Sequence, residues 1–158
     1  MPIGIGGKMT KEQINEFSMR ISQSNKTQIV VITYEIIINY LDSGMISFDN
    51  KNVTDFVFNI KKARQFLNQL SSSLDFTQKI SFELMNLYMY ANDCLVKSEI
   101  KQQNVNLSTV RDMMEKLREA FEIVSKDDKS MSVMQGGEKV FQGLTYGKNA
   151  MGTVMVSK

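Results

Sequence analysis

The side chains that usually carry enzyme chemistry are few in this sequence. It has no histidine, which excludes His-based acid–base catalysis, Ser-His and Cys-His nucleophile pairs, and His metal ligands. Its single cysteine, Cys94, excludes an internal disulfide and any multi-cysteine zinc site. The neighbouring carboxylates of Asp127 and Asp128 fall in a hydrophilic break, and nothing in the sequence indicates the pocket that general acid–base catalysis needs. We therefore expect a protein that is not an enzyme and that uses no cofactor or metal ion.

Two further residue types could bind a ligand, and each has a simpler structural explanation. The glycines Gly136, Gly137 and Gly143 lack the Gly-x-x-x-x-Gly-Lys-Ser/Thr spacing of a phosphate loop, so a flexible tail is favoured. Tyr88 and Tyr90 could contact a ligand, but packing is the default for aromatic residues at helical spacing.

Net charge and hydropathy also limit the partners. A net charge of +2 is too small to indicate binding of nucleic acid or of an anionic membrane surface. No uninterrupted apolar run reaches the length that spans a membrane, and residues 1–7 lack the basic and apolar regions of a signal peptide. The sequence therefore predicts a cytoplasmic protein without membrane insertion.

The stretch 75–104 predicts one long helix with two apolar faces. Asp75 and Gln78 have capping-box spacing at its start. A surface helix of a small domain needs only one apolar stripe, so the second stripe must be covered by this chain or by a partner. The expected core stripe consists of Ile80, Leu84, Leu87, Tyr88, Ala91, Cys94 and Leu95. The second stripe consists of Phe82, Met85, Met89, Val96 and Ile100, and such Met- and Phe-rich surfaces adapt to varied ligands.

Helix-capping residues are expected at Thr10, in a capping box with Gln13, at Ser24 or Asn25, at Asn52 or Thr54, and at Ser108. Together with similar periodicity they predict four other helices, over 10–23, 25–43, 52–73 and 108–125. The second is rich in β-branched residues, but it is too long for a strand and lacks alternation. Its apolar arc is wider than one core contact needs, which places Val31, Tyr34 and Ile38 on a flank. Gly44 is the expected stop residue, followed by a polar turn over 45–51.

Short connections between long amphipathic helices favour antiparallel neighbours. We therefore expect an all-α fold, an antiparallel up-down four-helix bundle at 25–125, preceded by a short-helix segment at 1–24. The remainder, 126–158, is rich in glycine and shows no stable period, which predicts an extended or flexible tail. This tail is still apolar enough to dock on the second stripe, through Met134, Val140, Phe141, Leu144 and Tyr146, with bends at Gly143 and Gly147.

Several short motifs, in order, resemble those of the bacterial flagellar export chaperone family FliS. Tyr34 lies where the family has the Tyr of a Leu-Tyr-Asp-Gly element, and Leu70-Ser71-Ser72-Ser73-Leu74-Asp75 resembles the turn before its long helix. Leu87-Tyr88-Met89-Tyr90 resembles a Leu-Tyr-x-Tyr element, and Leu117-Arg118-Glu119-Ala120-Phe121 resembles the last-helix pattern. The similarity covers about 21–124. It departs in the first bundle helix, which lacks the Ser-Pro cap and has Thr33 for Leu and Ile36 for Gly.

The resemblance implies a chaperone that binds the disordered C-terminal segment of flagellin in the cytoplasm and prevents premature filament assembly. Other flagellar export or regulatory proteins could also bind it. The second stripe of the long helix supplies the apolar groove that such binding needs. The weaker contact candidates are Phe58, Val31, Tyr34 and Ile38. An alternative function is a structural helical subunit that self-associates through the same stripe into a homo-oligomer.

Overall fold

The computed structural model describes residues 8–129 and 135–146, and every regular element in these ranges is an α-helix. This confirms the expected all-α class. The helices are α1 (Lys11–Ser22), α2 (Lys26–Asp49), α3 (Val53–Ser72), α4 (Ile80–Lys101), α5 (Leu107–Asp127) and α6 (Gln135–Tyr146).

The first three helices begin where their capping residues predict. Thr10 and Gln13 form a complete capping box, with the Gln13 backbone N–H donating to Thr10 Oγ1 at 3.1 Å. Asn25 does the same for α2, and the Asn52 side chain accepts from the Asp55 backbone N–H at the start of α3. Each side chain satisfies a backbone donor that the first helical turn leaves unpaired.

The predicted stop at Gly44 is wrong, because α2 continues to Asp49. A β-carbon built on Gly44 would lie 3.1 Å from the Ile60 Cδ1 atom of α3. The glycine therefore serves close packing between α2 and α3 rather than helix termination. The chain reverses two residues after α2, where Lys51 adopts a left-handed φ of 61°.

The starts of α4 and α5 also differ from prediction. Asp75 caps a turn, accepting from the Thr77 backbone N–H at 3.0 Å and from Thr77 Oγ1 at 2.6 Å, and α4 begins only at Ile80. These hydrogen bonds lower the pKa of the exposed Asp75 carboxyl. At the next turn the Leu107 backbone N–H donates to Asn104 Oδ1 at 3.1 Å, so Ser108 does not cap α5.

Helix α2 is the centre of the core, packed between α3 and α5, while α4 also packs against α3 and α5. Thr27 near the start of α2 donates to Asp128 at the end of α5 at 2.6 Å, and Arg111 near the start of α5 pairs with Asp42. These contacts make α2 and α5 antiparallel. The up-down order of all four helices stays a prediction.

The burial of α2 explains its composition. Its length and mean hydropathy of 1.5 would allow a membrane span, yet 67% of that apolar window is buried inside the domain. A core helix enclosed by its neighbours has the same hydrophobicity. Its β-branched side chains Ile32, Ile36 and Ile37 belong to the central hydrophobic cluster.

The prediction of a tail without secondary structure is wrong for residues 135–146. They form α6, which packs against α1, α2 and α3. Val140 and Leu144 are buried and Phe141 is exposed, whereas the structure of Met134 and Gly147 and the side chain of Tyr146 lie outside what is described. The described part of the tail, 135–146, therefore docks on α1, α2 and α3 and not on α4, the helix where docking was expected.

Candidate partner-binding surface

Helix α4 has one buried face and one open face. The buried face consists of Ser81, Leu84, Tyr88, Ala91, Cys94, Leu95 and Ser98. Five of these match the predicted core stripe. The other two members, Ile80 and Leu87, are exposed, Leu87 at 37%, because the arc in contact with α3 and α5 is narrower than the apolar arc of the helical wheel.

The second stripe of α4 is open to solvent. Phe82, Met89 and Ile100 are 58%, 62% and 75% exposed. Met85 and Val96 are partly buried. Phe76 lies just before α4, with its ring centroid 5.1 Å from that of Phe82, and extends the apolar surface at this end. Within the described residues no element of the chain covers this stripe.

A buried tyrosine pair fixes α4 to the core. The hydroxyls of Tyr34 on α2 and Tyr88 on α4 hydrogen-bond to each other, and the Phe121 ring of α5 lies 5.7 Å from the Tyr34 ring. Burial raises the pKa of both tyrosines, so they stay neutral and can donate. Placing Tyr34 on an exposed flank was therefore wrong; it positions α4 from inside the core.

Val31 and Ile38 are also buried rather than exposed, and placing them on an exposed flank was wrong as well. They line two shallow pockets of about 310 Å³ each between α1, α2 and α5, which meet at Arg20 and Glu35. Helix α1 closes this side of α2, a contact that the periodicity of α2 alone does not reveal.

Ion pairs rather than reactive groups line these pockets. Arg20 donates to both Glu35 carboxylate oxygens at 2.6 and 3.0 Å, and Arg118 pairs with Glu115 and Glu122. The hydrogen bond from Arg118 lowers the pKa of Glu115. A carboxylate whose pKa is lowered in this way is a poor general acid or base near neutral pH. The described residues include no group of three or more potential metal ligands.

Phe58, one of the weaker contact candidates, lies on α3 among residues outside α4. Its partly buried ring lies under the Lys8 ammonium, 4.7 Å from the ring centroid, in a small pocket with Met9, Ile14, Tyr40, Lys62 and Leu144. It therefore belongs to the side of the domain where α6 packs. The sequence does not reveal the groove in which α6 packs, because the glycines of 135–146 favour a flexible tail.

Comparison with known families identifies the domain. The model of the family described as flagellar protein FliS matches residues 9–128, which include α1 to α5 and end before α6. No curated protein matches the chain. The family match confirms the resemblance seen in the motifs: the chain belongs to the flagellar protein FliS family, a family of flagellar export chaperones and not of enzymes.

Proposed function

We propose that this protein binds the disordered C-terminal segment of flagellin in the cytoplasm and keeps it from polymerising before export. The family gives the class of function. The observation that carries the proposal in this chain is the exposed apolar stripe of α4. Large apolar patches on a soluble domain usually mark an interaction site.

The geometry of the stripe suits a helical client. Phe82, Met89 and Ile100 are separated by 7 and 11 residues, which returns each to nearly the same side of an α-helix. From Phe82 to Ile100 the stripe spans about 27 Å, at about 1.5 Å per residue. An amphipathic client helix could lay its apolar face along this length. Methionine and phenylalanine side chains would adapt to that face.

The expected energetics are those of coupled folding and binding. Each large side chain that becomes fully buried contributes about 1.5–3 kcal/mol. Ordering a disordered client offsets about 2–5 kcal/mol of the gross interaction energy. Three exposed anchors, Phe82, Met89 and Ile100, can therefore exceed the ordering cost, whereas the loss of one anchor should weaken binding strongly.

A charge in the middle of the stripe tests the proposal. We expect Met89→Glu to weaken binding of a flagellin C-terminal peptide by about tenfold or more, equivalent to about 1.4 kcal/mol, because the carboxylate would be desolvated on binding. Met19→Glu is the matched control: it changes the same residue type, at 65% exposure, on α1, a helix that does not pack against α4. Calorimetric titration measures both affinities, and circular dichroism checks that both variants keep their helices.

Two results would contradict this assignment. Equal affinities of the two variants would remove the stripe from the client site. A homo-oligomer that Met89→Glu dissociates, without any flagellin binding by the unaltered chain, would instead favour a structural subunit that self-associates through the stripe.

A further inference from the structure

The groove under α6 is a second candidate interaction surface, separate from the α4 stripe. Helix α6 packs against α1, α2 and α3 and makes no comparable contact with α4 or α5 in the described residues. The groove residues belong to the part of the chain that matches the family, whereas α6 follows the end of that match at residue 128. The groove is thus formed by the part of this chain that matches the family, and α6 is a segment outside the match that this chain places in it.

The fit depends on close approach of the α6 backbone. A β-carbon built on Gly143 would lie 2.8 Å from Cζ of Phe66, and one on Gly137 would lie 3.0 Å from Cγ2 of Ile21. Both glycines are buried. Val140 and Leu144, one helical turn apart on α6, enter the groove and are buried. The groove therefore selects a helix with small residues at two positions and branched aliphatic residues at two others.

The polar contacts that the described residues make with α6 are with its main chain. Lys62 Nζ donates to the Gly143 carbonyl oxygen, and Gln69 Nε2 donates to the Lys139 carbonyl oxygen at 3.3 Å. A cation near the C-terminal carbonyls of a helix is favourable for any sequence. Lys62 is buried beside the stacked Tyr40 and Phe66 rings, with its Nζ atom 5.8 and 5.6 Å from their centroids.

The amino-acid composition of α6 gives it little helical stability of its own. An isolated helix of 12 residues is marginal in water, and the three glycines of α6 lower its helix propensity further. Its helical state therefore depends on the groove, so undocking and unfolding of α6 are coupled. Because α6 is tethered to the chain, it meets the groove at high effective concentration even if each contact is weak.

From these contacts we propose that α6 is a displaceable occupant of a helix-binding groove, and that the groove accepts a partner-protein helix with the same pattern. The pattern consists of small residues at the positions of Gly137 and Gly143 and branched aliphatic residues at those of Val140 and Leu144. This partner surface is distinct from the α4 stripe, so a client on the stripe and a helix in the groove can be bound together.

The test releases α6 from the groove while keeping it in the chain, and then adds a peptide that can bind the vacated groove. Leu144→Asp places a carboxylate at a buried position and should expel α6, whereas Phe141→Asp makes the same change at an exposed position of the same helix. The probe is a fluorescent peptide with the sequence of residues 134–147, and a second peptide carries Leu in place of Gly143. Fluorescence polarisation measures both affinities.

We expect the Leu144→Asp chain to bind the probe at least tenfold more tightly than the unaltered or Phe141→Asp chains, and none to bind the Leu-containing peptide. Equal binding by all three chains, or loss of the helical signal of α1–α5 in both Leu144→Asp and Val140→Asp, would make α6 a fixed part of the core and overturn the proposal. The unaltered chain could instead prove to be a dimer that Leu144→Asp converts to a monomer. In that case the groove would bind α6 of a second copy and not a partner-protein helix, which would overturn the proposal.

Discussion

The α4 stripe and the α6 groove are both apolar surfaces, but the chain leaves one open and fills the other. The stripe projects Phe82, Met89 and Ile100 from a single helix, with charged residues such as Asp93 and Lys97 beside it. The groove is recessed between three helices and has Lys62 on its wall. A solvent-exposed stripe with adaptable Met and Phe side chains tolerates varied ligands. A recessed groove accepts only a helix that has small residues where it approaches the walls.

Lys97 beside the stripe and Lys62 in the groove also differ in their electrostatic surroundings. Lys97 is exposed and pairs with Asp93 at 3.0 Å, so it remains solvated whether or not a client is bound. Lys62 is buried, and burial lowers its pKa to about 8. Occupation of the groove therefore has an electrostatic cost that occupation of the stripe lacks. The groove compensates with aliphatic burial and a hydrogen bond to the helix main chain.

The largest expected contrast is between the two faces of α4. Leu95 is completely buried, and Leu95→Ala should lower the free energy of unfolding by about 2–5 kcal/mol, because it removes packed methyl groups and leaves a cavity. Ile100→Ala on the open stripe should change it by less than about 0.5 kcal/mol. Urea unfolding followed by circular dichroism measures both. A large loss of stability for Ile100→Ala would mean that the stripe is covered by part of the chain in solution.

Local signals explain which parts of the fold were predictable. The capping residues Thr10, Asn25 and Asn52 satisfy backbone donors within their own first turn, so a short window of sequence contains the information. The role of Gly44 depends instead on Ile60 of another helix. A glycine suitable for stopping a helix is equally suitable for letting a second helix approach.

The same reasoning separates the two surfaces. The open stripe was predictable because Phe82 and Met89 lie opposite Leu84 and Leu95 on one helix. The exposure of Leu87 could not be predicted from α4 alone, because α3 and α5 decide how much of the apolar side of α4 is covered. The α6 groove was missed because the glycines that indicated a flexible tail are the residues that let α6 pack closely.

The second contrast is in pH dependence. Burial lowers the pKa of Lys62 to about 8 with α6 docked, while release of α6 should return the pKa towards about 10.4. Between pH 8 and 10 the released state therefore binds more protons, so docking strengthens as pH rises, and it is independent of this group below pH 8. We expect the docking constant to rise about tenfold from pH 7 to pH 9.

The Leu144 methyl NMR signals can report the docked fraction across this range. Burial raises the pKa of the neighbouring Tyr40, so its hydroxyl stays neutral in this interval. Lys62→Met should remove the pH dependence of α6 docking. The affinity of the α4 stripe for a client should not change over the same pH range. A docked fraction that rises equally in Lys62→Met would assign the effect to another group.

The smallest contrast lies within α6, between its two buried glycines. At Gly143 an added methyl group would overlap the ring of the fully buried Phe66, at 2.8 Å, and overpacking of this kind costs about 1–3 kcal/mol. Replacing glycine by alanine in a helix returns about 1 kcal/mol of propensity. We therefore expect Gly143→Ala to weaken docking by about 1 kcal/mol net.

At Gly137 the nearest contact is longer, 3.0 Å to a methyl group of Ile21, so the two effects should nearly cancel in Gly137→Ala. Hydrogen exchange of the α6 amides in the full chain, at one pH, measures this difference. Greater protection in Gly143→Ala than in Gly137→Ala would show that helix propensity, and not close approach to Phe66, limits docking.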